Sequence, residues 1–270
     1  MHNDKIKSMI RIRNLSVTLS DNKSKRIINN FNLDLQNGNV YFLVGRNGSG
    51  KSTLVNTIMG NPMYTIESGD IEIIDEIYEK YRFQKIEEEC KEEDIDFDVE
   101  DLGDNIKLKR IKINRLSATS RSNLGIFLAN QYPTEIPGVG LTSFLRLIYN
   151  NTLPKEKHLS VFAFKKYLEE ISEKINYPKE LLKRNLNEGF SGGEKKKTEI
   201  LQMLILSPKY VFLDEIDSGL DKKSTHEIFE AIADYHRTNQ GGILVIVTHY
   251  DNAKKHFDNF IEIEMQKLNQ

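Results

Sequence analysis

The chain has 270 residues, 39% hydrophobic and 29% charged, with a formal net charge of −2. That length accommodates one large α/β domain with a helical appendage, and the near-neutral charge excludes a global basic field that would draw it to nucleic acid or anionic lipid. One cysteine, Cys90, excludes an intrachain disulfide framework and a four-thiolate cluster, and no apolar run approaches the ~20 residues that cross a bilayer.

In chain order, the first strong signal is the apolar run Val40 to Val44, which predicts a buried strand. It feeds Gly45-Arg46-Asn47-Gly48-Ser49-Gly50-Lys51-Ser52, and Ser52-Thr53-Leu54-Val55 opens a helical segment. Glycines at these positions let consecutive N–H groups curl into a nest, and the helix adds its positive end, so phosphate oxygens are satisfied together. Lys51 would then reach the β- and γ-phosphates, while the Ser52 hydroxyl would supply one ligand to Mg²⁺.

An acidic stretch occupies the region near 76–104, with Glu87, Glu88, Glu89, Glu92, Glu93 and Asp94 leading into Asp96, Asp98, Glu100 and Asp101. Asp94 to Asp98 imitates the start of an EF-hand loop, but Val99 and Asn105 stand where that loop needs Gly and Glu. Ile95, Phe97 and Val99 alternate with acids, and Ile106 and Leu108 alternate with Lys107 and Lys109. The pattern predicts a hairpin pairing an acidic with a basic strand, and a disordered surface loop is the competing reading. Cys90 reads as an inert side chain on this charged loop.

Ile126 to Ala129 predicts another buried strand, ending near Gln131. Residues 132–188 then read as a helical subdomain, with Phe144, Leu147 and Ile148, then Phe162, Phe164, Tyr167, Leu168 and Ile171, at helical spacing and assigned to core. Ser191-Gly192-Gly193-Glu194 precedes the apolar pattern Ile200, Leu201, Leu204 and Ile205. Ser191 fits an N-cap; alone, the motif reads as a plain helix start, and its glycines would also admit a phosphate. Tyr210 to Glu215 predicts a buried strand ending in two carboxylates, of which Asp214 fits a Mg²⁺ role and Glu215 a general base. Strands at Ile243 to Val247 and Phe260 to Met265 complete the series.

Together these motifs resemble the ATP-binding cassette (ABC) ATPases, whose signature corresponds to Phe190 to Glu194. The resemblance implies an α/β cassette: a mostly parallel sheet, an antiparallel β subdomain and a helical subdomain. It implies a single domain over 1–270, with 9–131 and 189–265 forming the two parts of a catalytic lobe around the helical subdomain at 132–188. It also implies ATP and Mg²⁺ as cofactors. Gly45 to Thr53 would cradle the nucleotide, with Ser52, Asp214 and Gln131 around the metal. Gln131 would contact the attacking water, Glu215 would act as base, and His249 would contact the γ-phosphate. Ser191, Gly192, Gly193 and Glu194 would meet ATP held by a second copy, coupled through the loop Ser218 to Asp221.

Within that family the chain is most similar to the SufC branch, which powers SUF iron–sulfur cluster assembly. The runs that carry this are Gly125 to Ala129 with Gln131-Tyr132-Pro133, Glu135-Ile136-Pro137-Gly138-Val139, Gly189 to Lys196 continuing into Glu199 to Met203, and Leu213 to Asp221 with Val247 to Tyr250. SufB/SufD-type scaffolds and a second copy of the chain are the implied partners. Met1-His2-Asn3-Asp4-Lys5 has no secretory core, so the expected place is the cytoplasm or an organelle stroma or matrix, with no direct membrane insertion. Three departures stand out: no aromatic residue at 14–30 for adenine stacking, the insertion near 76–104, and an end soon after Met265. A membrane transporter's ATP-binding subunit is the alternative function.

Overall fold

The computed structural model describes residues 9–76, 90–91, 95, 97–101, 107–239 and 242–266. The expectations for 77–89, 92–94, 96 and 102–106 lie outside the described residues.

Four short, buried apolar runs, β3 (Val40–Val44), β7 (Ile126–Ala129), β8 (Tyr210–Asp214) and β9 (Ile243–Val247), form the parallel sheet together with an exposed edge strand of alternating Ile and Glu, β10 (Ile261–Glu264). Their order is β10-β3-β9-β8-β7, and every adjacent pair is parallel. Alternate residues divide between two cores. Phe42, Phe127, Leu213 and Ile246 enter one, whereas Tyr41, Leu128, Phe212 and Val245 enter the other. Burial on both faces is why β3, β7, β8 and β9 read as continuous apolar runs.

The second sheet is antiparallel, in the order β2-β1-β4-β6-β5, and comprises β1 (Met9–Leu19), β2 (Arg26–Gln36), β4 (Tyr64–Glu76), β5 (Phe97–Asp101) and β6 (Lys107–Lys112). The predicted hairpin is present: Asp98 lies opposite Arg110 and Asp101 opposite Lys107. Cys90 differs from expectation. It is buried beside Ile95, in the same core cluster as Ile73 of β4 and Ile111 of β6.

Among the described residues, the α-helices are α1 (Lys51–Met59), α2 (Ala118–Asn123), α3 (Leu141–Asn151), α4 (Val161–Lys174), α5 (Gly192–Leu206) and α6 (Lys222–Thr238). In α3 and α4, Leu141, Leu145, Phe164 and Leu168 are buried, but Leu147 and Phe162 are 59% and 86% exposed, so two residues assigned to the core face outward. Helical spacing places residues on a stripe; which residues at its margin are covered depends on the neighbouring helix.

The two sheets are stapled where Asp75, near the end of β4, accepts the Tyr210 hydroxyl at 2.9 Å and pairs with Lys209. Truncating Asp75 to Ala strands a buried hydroxyl beside an ammonium. We expect a loss of about 1–3 kcal/mol of unfolding free energy, measured by urea denaturation.

Candidate functional site

Four parallel strands release their chains at one edge of the sheet. The phosphate loop follows β3, Thr248-His249 follows β9, Asp214-Glu215 ends β8, and Asn130-Gln131 follows β7. In open α/β sheets the carboxyl ends of the strands are where ligands bind, since side chains there meet without loops crossing.

At the phosphate loop, Gly45 has φ 144° and a Cβ there would lie 2.4 Å from the Met265 carbonyl oxygen, so only glycine permits this approach of β10. Gly50, at φ 94°, precedes the first helical residue Lys51, and no side chain caps α1, which leaves its N-terminal amides directed at the loop's concavity. Arg46, Asn47 and Gly48 form the exposed rim, while Ser49 and Gly50 are buried. Lys51 is 5% exposed, and its Nζ donates to the carbonyls of Gly45 at 2.9 Å and Arg46 at 3.3 Å. Those bonds keep a buried ammonium satisfied and hold it at the loop's mouth.

The Ser52 hydroxyl donates to Asp214 Oδ1 at 2.9 Å, joining α1 to the end of β8 across the sheet. Burial pushes the Asp214 carboxyl above its ordinary range, a push partly opposed by the Ser52 hydrogen bond. A hydroxyl and a buried carboxylate this close are hard oxygen donors suited to a divalent cation that takes its remaining ligands from phosphate and water.

Glu215 stands next, with φ 48°, a left-handed conformation that costs a non-glycine residue about 1 kcal/mol. Its amide donates to the Val247 carbonyl at 2.9 Å, which fixes the turn against β9. The carboxylate is held from two sides, by the Gln131 side-chain amide at Oε2 and by His249 Nε2 3.3 Å from Oε1. Gln131, Glu215 and His249, remote in sequence, therefore converge.

The signature segment lies elsewhere. Ser191 caps α5 with a reciprocal capping box: its Oγ accepts the Glu194 amide at 3.3 Å, and Glu194 Oε2 accepts the Ser191 amide at 2.7 Å. That amide also holds the Glu194 carboxyl below its ordinary range. The Glu194 carboxylate is thus committed to the helix start, a bond that satisfies an orphan donor. Gly192 is open to solvent, and a Cβ on Gly193 would press Leu220 at 3.2 Å. Asp221 likewise caps α6, accepting from Lys223 and Ser224 amides at 2.9 and 3.0 Å.

Two contributors escaped the sequence reading. Lys196, 5% exposed, donates to the Glu215 carbonyl and to Ser218 Oγ, both at 2.6 Å. Burial lowers its pKa, opposed by the surrounding Asp217, Glu215 and Asp214. Nothing local distinguishes it from Lys195 and Lys197 beside it. Glu199 is the second; it accepts the Asn130 amide and a bond from Gln202 at 3.0 Å, and burial raises its carboxyl to about 7. Because its folded-state pKa lies above the unfolded value, the stability it contributes is complete below the unfolded pKa and disappears as pH rises through 7. Substituting Gln for Glu199 removes that titration, so the variant's melting temperature rises relative to the unmodified chain between pH 5 and pH 8, as scanning calorimetry would read.

A glycine loop on a helix start, a hydroxyl–carboxylate pair and a held glutamate at adjacent strand ends define a phosphate-loop nucleotide hydrolase. The chain belongs to the ABC transporter ATPase family: residues 28–218 match the ABC transporter family. A probable ATP-dependent transporter, ycf16, of Antithamnion sp. is 37% identical over 244 residues, covering 90% of this chain and 81% of its own. A probable ATP-dependent transporter of Synechocystis sp. is 36% identical over 248 residues, covering 90% and 80%. Among solved structures, the dimeric structure of the bacterial ABC transporter cassette MJ0796 superposes with a TM-score of 0.68 at 19% identity, over 97% of this chain and all of that one. The chain is an ABC-type ATPase that binds ATP and hydrolyses it to ADP and phosphate. No helix among the described residues is long and apolar enough to cross a membrane.

Proposed function

We propose that this ATPase powers iron–sulfur cluster assembly on a SufB/SufD-type scaffold, with two copies closing head to tail around ATP in the cytoplasm or an organelle matrix. The observation that carries the catalytic part is the convergence of Gln131 and His249 on the Glu215 carboxylate. Gly45 to Thr53 cradle the triphosphate, with Lys51 moving from the Gly45 and Arg46 carbonyls to the β- and γ-phosphates. Glu215 takes the proton of the attacking water, Gln131 orients that water, and His249 contacts the γ-phosphate. Ser52, Asp214 and Gln131 would hold Mg²⁺, which neutralises charge on the phosphates when bound.

Ser191 and Gly193, far from the phosphate loop in sequence, serve the ATP of a second copy, as the family resemblance implies. The resemblance of the Gln131-Tyr132-Pro133 and Glu135 to Val139 runs to SufC supports a soluble scaffold as partner. A groove of about 450 Å³ lined by Met59, Phe127, Phe144, Ile148, Leu206 and Pro208 could receive a partner segment under either reading. Tyr132, 82% exposed on the loop after Gln131, supplies an apolar anchor of the kind interfaces favour.

The transporter reading remains the second, because the relatives' printed names describe transporters. Copurification of the tagged Glu215→Gln chain with ATP tests both. Soluble proteins carrying iron and sulfide support the scaffold; multi-spanning membrane proteins replace it with a transporter.

A further inference from the structure

The loop that leaves β7 pairs with the segment preceding the signature helix. The Ile136 amide donates to Leu186 O at 2.9 Å, the Leu186 amide to Val139 O at 2.8 Å, and the Leu141 amide to Arg184 O at 2.9 Å. Lys195, on the first turn of α5, pairs with Glu135 at 2.7 Å. Asn130, beside Gln131, is bonded to Glu199 on the same helix.

At the centre of this seam is Asn187. It is 2% exposed, its backbone is left-handed at φ 59°, and its Nδ2 donates to the Thr134 carbonyl at 2.9 Å. Its Oδ1 is buried without a hydrogen-bond partner. Asparagine adopts the left-handed backbone readily, so its side chain is free to serve as the tie to the Thr134 carbonyl.

We propose that Asn187 is a positioning residue for hydrolysis, locking the loop that carries Gln131 to the start of the signature helix so that Gln131 and Ser191 move as one piece. The inference rests on the proposed head-to-tail dimer. There, Gln131 serves the chain's own ATP and Ser191 its partner's, so the seam ties the geometry of one site to that of the other. A pull on exposed Tyr132 reaches Ser191 through the same bonds.

Two substitutions separate the side chain from the backbone. Asn187→Gly keeps the left-handed conformation, which glycine adopts freely, and removes only the tie. Asn187→Asp keeps the shape and turns an acceptor toward the Thr134 carbonyl. Full-chain variants would be compared with the unmodified protein for binding of a fluorescent ATP analogue, turnover against ATP concentration, and amide exchange. The expected result is affinity within about twofold, turnover lowered about five- to tenfold, and loss of cooperativity in ATP, because the defect lies in positioning and not in ground-state binding. Ile136 and Leu186 amides should exchange about tenfold faster.

Unchanged turnover, cooperativity and exchange in both variants overturns the proposal. An unmodified chain that hydrolyses ATP without cooperativity counts against the dimer reading instead, and the seam is then decided by the exchange of those two amides. Should both variants fail to fold, charge reversal decides. Glu135→Lys alone is expected to slow turnover about two- to threefold, and adding Lys195→Glu to restore it, the scale of an exposed ion pair; turnover unaltered by the single reversal overturns the proposal.

Discussion

Replacing Glu215 by Gln is expected to arrest hydrolysis while ATP stays bound. The amide preserves the volume of the carboxylate and still accepts a hydrogen bond, but it cannot take a proton from water. General-base catalysis of this kind contributes about 10²–10⁴-fold, so turnover should fall by at least that factor. The Glu215 carboxylate meets Gln131 and His249, and its backbone meets Val247, Lys196 and Ser218, none of them in the phosphate loop, so nucleotide affinity has no reason to decline. Filter binding with labelled ATP, followed by chromatography of the bound nucleotide, reads both quantities. Recovery of ADP at the rate of the unmodified chain would remove Glu215 from the role of base.

Lys51→Ala gives the opposite pattern. The ammonium is buried and bonded to two loop carbonyls, so its removal deletes the one buried cation at the phosphate loop and leaves those carbonyls facing each other. A charged hydrogen bond contributes about 1.5–3 kcal/mol, which corresponds to a roughly ten- to hundredfold weaker dissociation constant for ATP. Isothermal titration at fixed Mg²⁺ measures it. Turnover falls as well, but through binding first. If Glu215→Gln and Lys51→Ala lose affinity equally, the division of labour between them is wrong.

These expectations come from different sources. The strand–loop–helix around Gly45 to Ser52, the carboxylates ending β8, the cap at Ser191 and the hairpin of β5 and β6 were legible because each depends on local backbone chemistry: glycine at positive φ, an oxygen beside free amides, alternation of charge along a strand. Gln131 and His249 were assigned by resemblance, and nothing in their own neighbourhoods says that they meet. The order β10-β3-β9-β8-β7 brings the ends of β7 and β9 to either side of Glu215.

What the sequence by itself determined about this protein is therefore its repertoire: a phosphate nest, a buried carboxylate, a base and a second helix start able to meet phosphate. Only the tertiary structure decided which members of repeated or ambiguous patterns are used. Among three consecutive lysines, Lys196 alone reaches the Glu215 carbonyl, because the turn of α5 directs it beneath β8. Leu147 and Phe162 turn outward although their spacing matches the core, and Cys90 turns inward although its neighbours are charged. Asn187 carries no sequence signal beyond a preference for turns, yet it is buried against Thr134. In each case the deciding contact joins residues far apart in the chain, and such contacts follow from sheet order and packing, which no local pattern encodes.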